Sequence, residues 1–487
     1  MYICLYTDMF ATAPLLGKFH SSRRPESTPP SRHPLHHLES LCADWIDPSL
    51  LETNNHKQNS RERIYTPKLT FMAFLDQVLN PDSSCRDAVR QIQAYYQHLP
   101  APPAIDSDTS AYCQARARWT LAELIEIRCH LADHPVLHCL PFSLASPRPL
   151  KVLDGTCFNL PDTKPNRLAY PQSEDQQPEC GFPLVRLVAV FSLQTGALLQ
   201  RQYAPYQTSE NALYQALWPA LNCGDIVLAD RNFGSWGAMA SLRAKGVDGI
   251  FHLHASRNAD FRQGQRLGLN DRLVTLAKPK NKPANLSQEQ WEQLPPGLTV
   301  RLVRFRVRTR NGRCKKIILI TTLLDPLLWP VELLAAIYGR RWEIELFLRN
   351  IKTTLQMEML SCRTPAMIQK ELEMHLIAYN LIRAFMGEAA FTCEVRVERL
   401  SFKGTLDTAR QYGQGMARIP ASYRRRRQSM YLEMLAVIAG DPVRERPDRF
   451  EPRCQKRRPK RFPFMTHPRR KLQAARKDSL PLIKPSP

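Results

Sequence analysis

Between Leu150 and Ala255 short apolar runs alternate with amphipathic stretches, and that alternation restricts the possible architectures more than any other feature. KVLD (151–154) reads as a short strand ending on Asp154, and LVRLVAVFSLQTG (184–196) as a longer one. ALLQRQYAPY (197–206) pairs back onto it as a hairpin across Thr195 and Gly196. ENALYQALWPAL (210–221) is a helix, DIVLAD (225–230) a buried strand, SWGAMASLRAKG (235–246) a helix closing on Gly246, and DGIFHLHA (248–255) a further strand. Strands joined by helical crossovers must form a mixed sheet covered by helices, an α/β class.

The flanks differ in texture. TPKLTFMAFLDQVL (66–79) places Leu69, Phe71, Phe74, Leu75 and Val78 at helical spacing. PDSSCRDAVRQIQAYYQHL (81–99) follows, with capping residues Asp82 to Ser84 ahead of an apolar stripe. The pair reads equally as a DNA-binding helix pair or as part of an ordinary bundle. YCQARARWTLAELIEIRCHLA (112–132) reads as one further helix. From 257 to 328 a polar stretch precedes TVRLVRFRVRTRNGRCKKIILITTL, whose RNGR turn marks a hairpin, so this segment is expected to be mostly β. The expected organisation is a flexible N-terminal arm (1–60), rich in Ser, Pro and Arg from residue 20 on, and a helical N-terminal domain (61–145). An α/β domain in two parts (146–256 and 329–388) brackets the β insertion (257–328), and a basic C-terminal region (389–487) ends the chain.

Charge narrows the function. The 487 residues carry a net charge of +23, which points to a polyanionic partner, nucleic acid before membrane surface. Residues 421–487 hold 19 Lys or Arg against 6 Asp or Glu, an excess of 13 and more than half of the total. No apolar run is long enough to span a bilayer, and the first residues lack a basic leader. Thirteen cysteines without a CxxC pair read as reduced thiols of a cytoplasmic chain. CHLADHPVLHC (129–139) matches no zinc-ligand spacing and is broken by Pro135.

YGRRWEIELFLRNIK (338–352) carries the chemistry. On a regular helix Tyr338, Arg341, Glu345, Arg349 and Lys352 share a stripe roughly 80° wide, beside an apolar face of Ile337, Ile344, Phe347, Leu348 and Ile351. One carboxylate thus stands among cations. An i,i+4 ion-pair ladder would suffice to explain it, were it not for Asp154 and Asp230, two acids at strand ends where ligand-binding groups of open α/β sheets collect. Three convergent hard oxygen ligands suit Mg²⁺ or Mn²⁺, and a pair of such ions can position both attacking and leaving oxygens in phosphodiester cleavage.

At these residues the chain resembles the DDE-type insertion-sequence transposases of the bacterial IS-four class, marked by a YREK signature. Tyr, two residues, Arg, three residues, Glu, six residues and Lys are met by Tyr338, Arg341, Glu345 and Lys352. Asp154 in LDGTCFNLPDT and Asp230 in ADRNFG match the two aspartate motifs. YTPKLTFMAFLDQVLNPDSSCRDAV, SAYCQARAR and RPDRFEPRCQKRRPKRFPFMTHPRR are similar to other segments of the family. The resemblance implies an RNase H-like mixed sheet with a β-rich insertion, and Asp154, Asp230 and Glu345 as ligands of two Mg²⁺ ions. It implies cut-and-paste transposition: cleavage at the inverted-repeat ends of an element, then strand transfer to target DNA by a homodimeric synaptic complex on the bacterial nucleoid. Tyr338, Arg341 and Lys352 would grip end DNA, with Arg349 read from the stripe as a further phosphate contact. Trp291, the one tryptophan in the β insertion, stays without a role. Two other readings remain open: a catalytically silent DNA-binding protein, and an RNase H-like nuclease without strand transfer.

Overall fold

Strands of the middle third are apolar at both parities, so both faces of their sheet need cover. The computed structural model describes residues 34–42, 45–52, 64–80, 83–97, 101–140, 146–254, 257, 259–308, 314–420, 422–444, 465 and 467–479. Its strands are β1 (Leu150–Asn159), β2 (Leu184–Ser192), β3 (Leu198–Pro205), β4 (Ile226–Ala229), β5 (Asp248–His252), β6 (Gln265–Gly268), β7 (Asp271–Ala277), β8 (Gly297–Arg308) and β9 (Cys314–Thr321). They form one mixed sheet in the order β3-β2-β1-β4-β5-β9-β8-β7-β6. β1, β2 and β3 run as an antiparallel meander, while β4 is parallel to β1 and β5 parallel to β4. β9 joins antiparallel to β5 through Ile250–Thr321, Phe251–Ile320 and His252–Leu319, so the strands of 257–328 extend the same sheet. The RNGR turn itself lies outside the described residues.

Strand alternation divides the core in two. Val152, Ile226, Leu228 and Ile250 point to one face, Leu153, Val227, Ala229 and Phe251 to the other. The first face is covered by the helix Pro365–Thr392, with Pro67–Leu79 and Leu121–Ala132 in the same apolar cluster. That cluster runs from Leu35 to Ile438 and takes residues from every segment named above. Helices Glu210–Leu217 and Trp236–Ala244 cover the second face.

Several expectations need correction. The N-terminal arm is not loose throughout: Pro34–Cys42 is a helix whose Leu35, Leu38 and Leu41 are buried, followed by buried Trp45 and Ile46. Their spacing of about one helical turn was masked by the Pro and Arg around it. Residues 112–132 form two helices, because Trp119 turns extended (φ −58°, ψ 128°) and Thr120 caps the second through a capping box with Glu123. Pro67–Leu79 buries ten of its thirteen residues, which favours the bundle reading over a groove-reading helix pair. In the basic C-terminal region Arg424–Ala439 is a helix that buries Met434, Leu435 and Ile438. The RPDRFEPRCQKRRPKRFPF part lies outside the described residues. Among the described residues no helix is long and apolar enough to cross a membrane.

Polar groups brace the layers. Glu373, on the long helix, is fully buried and accepts from Arg128 Nε at 2.5 Å and from Arg201 Nε and Nη2 at 2.9 and 2.7 Å. One carboxylate thereby ties two helices to β3.

Candidate active site

β1 is longer than KVLD suggests, and Asp154 stands inside it rather than at its end. What ends there is the pairing: β1 and β4 are in parallel register over Leu150–Ile226, Lys151–Val227 and Val152–Leu228, and then part. That register offset is 76 residues, the same as the separation between Asp154 and Asp230. The pairing stops two residues short of the aspartates, and what shows that they are near each other is that the charge of Asp230 acts on Asp154. Asp230 opens a 3₁₀ turn, Arg231–Phe233, yet its side chain makes no capping hydrogen bond there. The ordinary role of a strand-end aspartate is therefore not the one it fills.

Asp154 accepts from the Gly155 N–H at 2.8 Å. Burial raises its pKa above the usual 3.8, opposed by the Gly155 N–H and the Arg341 guanidinium, and the charges of Asp230 and Glu210 push it further up. Glu210 was not foreseen. It sits in the first turn of Glu210–Leu217, and its Oε1 lies 2.8 Å from where a Cβ on Gly155 would be. A glutamate in a first helical turn is so commonly explained by the helix dipole that the sequence offers no signal for a second role.

The 338–352 segment covers this edge, but not as one regular helix. Val331–Gly339 and Glu343–Arg349 are α-helical, Arg340–Trp342 is a 3₁₀ turn, and Asn350–Thr354 is a π turn. These departures from 100° per residue rotate the signature residues away from a straight stripe. Arg341 lies in the middle: its guanidinium is 5.9 Å from the Tyr338 ring and 3.9 Å from Glu345 Oε1, and it acts on Asp154. Tyr338 is half-buried; burial raises its pKa, Arg341 lowers it and the charge of Asp230 raises it. Glu345 is 67% exposed, turned away from the apolar interior. Lys352 Nζ docks on β1 just past Asp154, donating to Thr156 Oγ1 and the Cys157 carbonyl at 3.2 Å each.

The structure thus brings Tyr338, Arg341 and Lys352 to the edge that carries Asp154 and Asp230, while Glu345 is linked to it only through its 3.9 Å ion pair with Arg341. Arg349 departs from them: it is exposed and lines a separate cleft with Trp342, a correction to the shared stripe. Trp291 is 7% exposed and packs edge-on against Trp236 at 5.5 Å, as part of the second core layer. Among the described residues no three His, Cys, Asp or Glu side chains converge closely enough to hold a metal ion. In kind, however, the donors fit a hard divalent cation: all are carboxylates, and a cation beside Asp154 would offset the burial, and then the charges of Asp230 and Glu210, that raise its pKa.

Residues 145–381 match the family described as Transposase DDE domain. The chain is 28% identical over 243 residues to Transposase InsG for insertion sequence element IS4 of Escherichia coli, covering 50% of this chain and 53% of that one. A second Escherichia coli relative, InsZ, is 32% identical over 170 residues, 34% of this chain and 52% of that one. The chain thus spans about half the length of these curated relatives. A cryo-EM structure of a piggyBac transposase synaptic complex with hairpin DNA overlaps 82% of this chain and 84% of its own at a TM-score of 0.38 and 9% identity, too loose to argue from. By sequence, residues 145–381 of this chain are similar to the transposase DDE domain, and every residue of the edge just described falls within the matched segment.

Proposed function

We propose that this chain is a DNA transposase of the IS-four, YREK-bearing class, acting by cut-and-paste transposition from an RNase H-like sheet. One observation supports the reading: inside the matched segment, the charge of Asp230 and the Arg341 guanidinium both act on Asp154 near where β1 and β4 part, and Arg341 also lies 3.9 Å from Glu345. Asp154, Asp230 and Glu345 would hold the divalent cations, Mg²⁺ or Mn²⁺, and two ions suit the chemistry. Bound there, such ions lower the pKa of water and offset charge on a phosphodiester in cleavage and strand transfer. Arg341 neutralises the acids and is placed to exchange them for a backbone phosphate. Tyr338 and Lys352 flank the same edge, and Lys352 fixes the segment to β1. The partners in this reading are double-stranded inverted-repeat ends and target DNA, held by a homodimer on the bacterial nucleoid, with no membrane involvement.

The test is incubation of the purified chain with Mg²⁺ and DNA carrying the inverted repeats that flank its gene. Metal-dependent cleavage at the ends and joining of the freed 3′-OH to a target duplex are expected. Cleavage without joined product would assign the protein to hydrolysis alone, and binding without metal-dependent cleavage to a silent DNA-binding role.

A second outcome concerns affinity. Arg341→Ala and Lys352→Ala should each weaken DNA binding and reduce the slope of log affinity against log salt by about 1. A slope equal to that of the wild type in filter binding would restrict both residues to intramolecular roles.

A further inference from the structure

Arg349, displaced from the edge of carboxylates, opens onto a cleft of about 1030 Å³. Its walls come from the 338–354 segment, the β2–β3 turn, the helix Pro365–Thr392 and residues 397–403, with Arg444 at the rim. Seven ionisable residues line it, five of them cations. Both acids are engaged by cations outside that lining set: Glu343 by Arg340 at 2.5 and 2.9 Å, Glu398 by Arg396 at 2.6 and 2.9 Å. Arg349 and Arg444 are exposed, and no carboxylate among the described residues pairs with either.

The floor is more telling than the rim. Arg383 is 5% exposed, and its Nε donates to Tyr379 Oη at 3.0 Å. Around its guanidinium stand the rings of Phe347, Tyr379 and Phe402, at 4.6, 5.4 and 5.6 Å. No carboxylate among the described residues pairs with it. The turn is shaped to admit it: Gly196 has φ +70°, and a Cβ there would stand 2.8 Å from the guanidinium carbon. A buried cation costs free energy unless an anion faces it, and aromatic faces supply only part of that compensation. Trp342, 46% exposed on the same cleft, offers a ring on which a base can stack.

We propose that this cleft binds a phosphate of a nucleic-acid strand, with Arg383 as the fixed cation at its floor, Arg349, Lys403 and Arg444 as rim contacts, and Trp342 as a stacking surface. It is separate from the carboxylate edge, and it rests on the DNA-directed reading above only for the identity of the strand. It extends the DNA path past the 338–352 segment to its other side, which a single cation stripe would not do.

Two measurements on the full chain test it. In the first, the salt slope for binding a duplex of arbitrary sequence is compared between wild type and Arg349→Ala/Lys403→Ala. Both substitutions are on the surface; Lys403 is ion-paired with Asp407 at 2.6 Å and must exchange it for phosphate, so a fall of about 1 to 2 is expected. In the second, the thermal midpoint is followed in inorganic phosphate against chloride at matched ionic strength. Phosphate should raise the wild-type midpoint, and the gain should vanish in Arg383→Met and shrink in the double variant. If Arg383→Met does not fold, the double variant decides alone. An unchanged salt slope in the double variant overturns the proposal. Phosphate protection without any change in slope would mean a free phosphate ligand, and overturns the strand assignment. A wild type that lacks metal-dependent cleavage but keeps the slope difference sinks the transposase reading and leaves this cleft standing.

Discussion

Asp154→Asn is expected to abolish DNA cleavage while raising the thermal midpoint of the metal-free protein. The two effects have one origin. Asp154 is held in a crowded, partly buried site where burial, Asp230 and Glu210 disfavour its charge. Its folded pKa is raised above 3.8, so it costs nothing at pH values well below that, where the carboxyl is protonated folded or unfolded. As pH rises through the folded value the ionised group opposes folding, and the amide does not. The stability advantage of Asn should therefore be absent in acid and present at pH 7. Cleavage moves the other way: loss of a ligand to a divalent ion forfeits several kcal/mol of transition-state stabilisation, about 10³-fold or more in rate. Single-turnover cleavage together with thermal melts at pH 3 and pH 7 checks both. A variant that is less stable at pH 7, or that cleaves within tenfold of wild type, would return Asp154 to a structural role.

The second large effect falls on folding. Glu373→Leu should destabilise the protein by about 3–5 kcal/mol, because it leaves Arg128 and Arg201 facing each other in the interior without their shared carboxylate. Arg128 is fully buried and Arg201 nearly so, so water cannot replace the lost partner. Replacing all three together, as Arg128→Met/Glu373→Leu/Arg201→Met, should recover most of the loss, since uncompensated charge is the source of the damage. Chemical denaturation of the single and triple variants measures it. A single variant within 1 kcal/mol of wild type would show that the triad carries little.

Most strands and several helices could be read from the chain because each is a local pattern, and the same patterns singled out three acids as candidates. DIVLAD is a short apolar run ended by a carboxylate, and YGRRWEIELFLRNIK keeps its apolar residues at helical intervals. Even the spacing of 76 residues between Asp154 and Asp230 is written in the sequence. Its meaning is not: the number matters only because β1 and β4 pair with that same offset, and register is set by side chains from the whole sheet. Glu210 looks like an ordinary helix-start residue until the folded chain lays it against Gly155. Arg349 shares the signature stripe on an ideal helix, yet the packing of distant segments places it on the cleft with Trp342 and Arg383, which helical spacing cannot show. Composition marks the basic C-terminal region by its charge alone, yet one of its helices presents three apolar side chains to the core.

The sequence by itself determined the elements, the excess of positive charge and the residue types available for phosphoryl-transfer chemistry, because periodicity and composition act over a few residues at a time. Only the tertiary structure decided which charges act on Asp154 and which arginine is buried without an anion among the described residues. Those relations join residues tens to hundreds of positions apart, and they exist only after long-range strand pairing and helix packing have excluded the alternatives.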